Sequence, residues 1–105
     1  MKHITVQDLK AKLDANEELF VLDVREVDEF DQVNINARLL PLSQINQMEF
    51  DEIMDWKDKE VIVHCKAGMR SMQACMILEQ AGFTDTSNLT GGIMAWLENY
   101  PDTTL

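Results

Sequence analysis

Two unbroken apolar runs, Leu19-Phe20-Val21-Leu22 and Val61-Ile62-Val63, constrain the fold of this chain more than any other feature. A strand with one wet face alternates polar and apolar residues, whereas a continuous run fits a strand covered on both sides. Helical spacings surround these runs. Val6, Leu9 and Leu13 follow Thr5 and Asp8, which together form a capping-box pattern. Val27 to Val33 reads as a short helical turn, acidic outside, with Val27, Phe30 and Val33 directed inward. Leu39-Leu40-Pro41-Leu42 reads as a brief strand stopped by proline. Ser43 then caps a turn, and Phe50, Ile53, Met54 and Trp56 suit a short helix. Arg70 to Gln80 is predicted helical, with Ala74, Cys75, Ile77, Leu78 and Ala81 on its core face and Gly82 as a left-handed cap. Ile4 makes a short first strand and Thr86 to Leu89 a last one. Gly91-Gly92 then opens a helix from Ile93 to Leu97, closed by Pro101. Strands alternating with helices predict an α/β domain with a mainly parallel sheet.

A length of 105 residues with no repeat, linker or low-complexity tract predicts one domain over 1–105. Nine Lys and Arg against nineteen Asp and Glu give a net charge of −10. Such a surface disfavours nucleic acid and anionic membranes as partners. The start, MKHITVQDLKAKL, has no apolar segment of signal-peptide type, and no run approaches membrane length. The two cysteines, Cys65 and Cys75, show neither metal-ligand nor CxxC spacing. A reducing, cytoplasmic setting without metal or cofactor is the expectation.

The chemistry concentrates in VIVHCKAGMRS, residues 61–71. Sheets of the predicted kind place their sites at the carboxyl ends of strands, and Cys65 stands at such an end. Five backbone N–H groups, from Lys66 to Arg70, follow it before the helix is under way. Ala67 and Gly68 are small enough for a tight curl, and a curled loop entering a helix aims its donors at one point. Those donors, with Lys66 and Arg70, favour the thiolate, which is the reactive form. Cys75, mid-helix on the apolar face, reads instead as core. Strand alternation sends His64 to the face opposite Cys65, so it is not a base for it. His3 has no partner in sequence, and Met69 is a candidate apolar wall.

These segments, in this order, resemble the rhodanese-like family in its small single-domain form. The landmarks are VLDVRE (21–26), NARLLPL (36–42), VIVHCKAGMRS (61–71), LEQAGF (78–83) and NLTGGIMAW (88–96). The resemblance implies a five-stranded parallel sheet flanked by helices on both faces. It also implies sulfur transfer through a persulfide on Cys65. Lys66, Ala67, Gly68, Met69 and Arg70 would cradle a small anionic sulfur donor, with Ser71 in support. Asp23, Arg25 and Glu26 match an acidic–basic motif that would brace the loop. One departure stands out: the family's histidine before the Asn-Ala turn is absent, and Val33-Asn34-Ile35 occupies that stretch.

Three functions compete on these residues. The first is a sulfurtransferase taking sulfur from thiosulfate or a persulfide to a thiol, or to cyanide in an assay, with a sulfur-accepting protein as a further partner. The second is a phosphatase or arsenate reductase, whose Cys-to-Arg loop is one residue longer than the four residues found here. The third is a sulfur-carrier or regulatory module without turnover.

Overall fold

The computed structural model describes residues 1–105. Its strands are β1 (Lys2–Ile4), β2 (Phe20–Asp23), β3 (Arg38–Leu39), β4 (Glu60–His64) and β5 (Asp85–Leu89). Its α-helices are α1 (Val6–Asp14), α2 (Val27–Gln32), α3 (Leu42–Asn46), α4 (Met69–Gln80) and α5 (Gly92–Asn99), with a 3-10 turn at Asp51–Trp56. All five strands are parallel, in the order β1-β5-β4-β2-β3. The strand that carries the cysteine loop therefore lies at the centre.

Alternation along β4 explains the two layers. Val61 and Val63 face a core shared with Ile45, Ile53, Ala74, Cys75, Leu78 and Phe83. Ile62 faces the opposite core, made by Val6 and Leu9 of α1 and by Ile93 and Trp96 of α5. Both faces of the sheet are thus dry, as the unbroken apolar runs require. Thr5 caps α1 through the reciprocal pair with Asp8. Helix α4 ends in crossed bonds from Gly82 N–H to Glu79 and Phe83 N–H to Leu78, a Schellman motif. No helix is long and apolar enough to cross a membrane.

The structure corrects three expectations. Helix α2 buries no residue: Val27 is 55% and Val33 42% exposed, and Phe30 is only half-buried. Polar bonds hold this helix in place of an apolar stripe, with Arg25 donating to the carbonyls of Glu29 and Val33. Pairing in β3 stops at Leu39, although the N–H groups of Leu40 and Leu42 still bond to Asp23 and Val24. Ser43 lies inside the first turn of α3 rather than capping it, and its hydroxyl donates to Glu26. Where the family's histidine is absent, Asn34 ties the turn by donating to Phe30 O and accepting from Asn36 N–H.

Candidate active site

Cys65 follows β4 directly, and only Lys66, Ala67 and Gly68 separate it from α4. Gly68 sits at φ +115°, outside the region open to residues with a side chain, and this reverses the loop sharply. Its N–H then donates to Cys65 Sγ at 3.1 Å. Ser71, one turn into α4, places its hydroxyl oxygen 3.4 Å from the same sulfur. The cysteine is buried, and burial alone would raise its pKa. A Ser71 hydroxyl turned toward the sulfur, together with the N–H groups of Ser71, Gly68 and Ala67, outweighs that, so the thiol is held below its usual value.

The loop owes its shape to what lies behind it. The Cys65 carbonyl accepts from Ile93 N–H at 2.9 Å, and the Lys66 carbonyl from Met94 N–H at 3.1 Å. Across a trans peptide the next N–H points the other way, so carbonyls held against α5 turn the following amides toward the sulfur side. The first turn of α5 can approach this closely because residue 92 is glycine. A Cβ there would lie 2.5 Å from both carbonyl oxygens.

Of the two cations beside the cysteine, one is paired and one is free. Arg70 forms a two-pronged pair with Glu29, at 2.6 and 2.8 Å, and so ties the head of α4 to α2. This pair holds the Glu29 carboxyl down to about 2. Lys66 is exposed and makes no ion pair. Met69 is 75% exposed, so it is an outward rim and not a buried wall.

Asp23 and Arg25 form a buried pair at the end of β2, bonded from Nε and Nη2. Glu26 contacts Ser43 and bonds through its N–H to Glu29, away from the sulfur. His64 is fully buried on the face opposite Cys65 Sγ, where its Nδ1–H reaches the Cys65 carbonyl at 3.2 Å. Its Nε2 lies 3.6 Å from Asp23 Oδ2 and has no hydrogen-bond partner. Burial pushes its pKa down despite the neighbouring carboxylate. Cys75, in the core, has its thiol pushed up to about 11 by burial.

Three residues at the site escaped the sequence reading: Glu29, Asn88 and Gly92. Glu29 had a faint signal, three residues after Glu26 in an acidic turn. Asn88 sits in a buried but mostly polar strand, so its amide does not stand out from its neighbours in the sequence. A groove of about 250 Å³ between α2 and α5, lined by Arg25, Glu29, Val33, Lys66, Ile93 and Met94 among others, adjoins the loop. A larger hollow of about 370 Å³ lies at the amino ends of β2 and β3, lined by Leu19, Arg38 and Trp56 among others. That hollow holds no nucleophile, and the chemistry does not follow volume here.

A family model described as the rhodanese-like domain matches residues 5–99. The chain belongs to the rhodanese-like family. YtwF of Bacillus subtilis, provisionally named a sulfurtransferase, is 41% identical over 99 residues, covering 91% of this chain and 90% of its own. Thiosulfate sulfurtransferase GlpE of Coxiella burnetii is 31% identical over 101 residues, with 96% and 89% covered. The crystal structure of a rhodanese-like domain protein from Staphylococcus aureus superposes with a TM-score of 0.77 at 34% identity, covering 91% of each chain. Sulfur transfer is the general activity for which these two curated relatives are named.

Proposed function

We propose that this protein is a sulfurtransferase that carries sulfane sulfur as a persulfide on Cys65. The convergence of loop amides and the Ser71 oxygen on one buried, acid-shifted sulfur supports this reading most strongly. The thiol proton passes to solvent, so the first step needs no general base. With thiosulfate, Sγ attacks the sulfane sulfur, and the sulfur–sulfur bond of the donor breaks. Sulfite leaves with the bonding pair and so carries away the charge the thiolate brought, while the outer sulfur of the persulfide keeps the negative charge it had in thiosulfate. The N–H groups of Lys66 to Arg70 hold that charge, with Ser71 beside them. An acceptor thiolate then attacks the outer sulfur and leaves as a persulfide, restoring the Cys65 thiolate. Cyanide does the same in an assay and leaves as thiocyanate.

Lys66 acts at the mouth, as a free cation that draws anionic donors over an acidic surface. Arg70, Asp23, Arg25 and Glu26 act by holding loop and helix in register. The cradle, four residues between Cys65 and Arg70, matches a sulfur atom better than a tetrahedral phosphoryl group.

The test is intact mass after incubation with thiosulfate, followed by mapping. The expected result is one added sulfur on Cys65, lost in Cys65→Ser and kept in Cys75→Ser. No adduct from thiosulfate or a low-molecular-weight persulfide would sink the reading. Turnover of an aryl phosphate that disappears in Cys65→Ser would replace it with phosphatase chemistry.

A further inference from the structure

Ser71 is fully buried, and its hydroxyl has one proton and two neighbours that want it. On one side, Cys65 Sγ lies 3.4 Å from the oxygen. On the other, the side-chain carbonyl of Asn88 accepts from Ser71 Oγ at 2.5 Å. Asn88 is itself buried on β5, beside the cysteine strand, with its Nδ2 held 3.4 Å from His3 Nδ1. The same Nδ2 lies under the Gly68 turn, 3.8 Å from where a Cβ would project. Because Asn88 Oδ1 can only accept, the serine proton in that contact points to Asn88, and the sulfur faces a lone pair of the hydroxyl. That arrangement suits a thiol, which can donate to the oxygen. It does not suit a thiolate, which needs the hydroxyl to turn and donate to it.

We propose that Asn88 is a positioning residue, whose amide carbonyl competes with Cys65 Sγ for the single proton of Ser71 and so governs how readily the sulfur ionises and reacts. Ionisation sends the cysteine proton to solvent and rotates the serine O–H from Asn88 to sulfur. Asn88 Oδ1 then loses a buried partner, and that loss opposes formation of the thiolate. The backbone N–H groups favour the thiolate steadily, whereas the hydroxyl does so only when Asn88 releases it. This inference rests on Cys65 being the nucleophile, as proposed above.

The measurement is the rate of Cys65 alkylation by iodoacetamide against pH, with the modified peptide identified by mass. Removing the competing carbonyl in Asn88→Ala frees the serine proton for sulfur. The midpoint should fall by about one pH unit, which is tenfold faster alkylation well below it. In a Ser71→Ala background the same Asn88→Ala change should leave the midpoint where it stands. A midpoint that rises or stays in Asn88→Ala overturns the proposal. So does a fall that persists without Ser71, because it would come from water or cavity effects. Asn88→Val keeps a strand-forming residue without the carbonyl and carries the same prediction if the alanine variant does not fold. Alkylation needs no sulfur donor. A wild type that fails to load thiosulfate sulfur would refute the transferase reading, while the alkylation profiles would still decide on Asn88.

Discussion

Replacing Gly92 by alanine places one methyl group where the loop and α5 meet. The new Cβ would stand 2.5 Å from the carbonyl oxygens of Cys65 and Lys66, and 2.7 Å from the Lys66 carbonyl carbon. Ordinary contact begins at 3.4 Å, so loop and helix must separate by 0.9 Å, the difference between 3.4 and 2.5. The obstructing atoms are backbone and cannot swing aside. Separation lengthens the bonds from Ile93 and Met94 N–H, each contributing about 1 kcal/mol. Residue 92 also sits at φ +56°, which costs an alanine a further 1–2 kcal/mol or about that. The expected loss is about 3 kcal/mol, a fall in Tm of about 10–20 °C for a domain of this size. The functional loss should exceed what unfolding explains. A displacement near 1 Å at a reacting centre costs on the order of 100-fold in rate. The assay is sulfur loading from thiosulfate at a temperature where the variant is fully folded by circular dichroism. A loading rate within twofold of wild type would refute the claim that α5 shapes the cysteine loop.

Glu29→Gln removes the charge partner of Arg70, a part-exposed pair contributing about 1 kcal/mol at neutral pH. The Glu29 carboxyl titrates lower in the folded than in the unfolded chain, so its contribution is complete above the ordinary value of 4.5 and fades as pH falls toward 2. The gap in urea stability between wild type and variant should shrink to less than half between pH 7 and pH 3. A gap that does not change would refute the assignment. Cys75, with its thiol near 11, should resist iodoacetamide at pH 8 in the folded protein and react once urea unfolds it. Alkylation of Cys75 as fast as Cys65 in the native state would contradict the core placement.

Much of the architecture was legible because it follows from short-range pattern. The unbroken runs at 19–22 and 61–63 could only be strands with two dry faces, and Thr5 with Asp8 marked the start of α1. The loop was legible too, because a thiol, small residues and a glycine between a strand and a helix leave the chain few shapes. Charge was harder to read. Lys66 and Arg70 stand beside the cysteine in sequence, but Arg70 turns to Glu29, forty-one residues earlier. Local spacing cannot report a partner brought in by tertiary packing. The same applies to α2, whose exposed Val27 and Val33 mimic an apolar stripe while backbone bonds to Arg25 anchor it. Asn88 and Gly92 were hidden because what they do depends on distances to other elements and not on neighbours in the chain.

The parallel sheet has a consequence for how the protein comes into being. Lys2 pairs opposite Ser87, so the first strand has no partner until the chain is nearly all synthesised. Ser71 is oriented by Asn88, and the loop carbonyls are held by Ile93 and Met94, all made late. A nascent chain therefore carries Cys65 without the hydrogen bonds that hold its thiol below the usual value in the folded protein. The hydrogen-bonded setting of this sulfur is complete only when the last strand and helix close over it, so the cradle is a product of the finished fold and not of the loop alone.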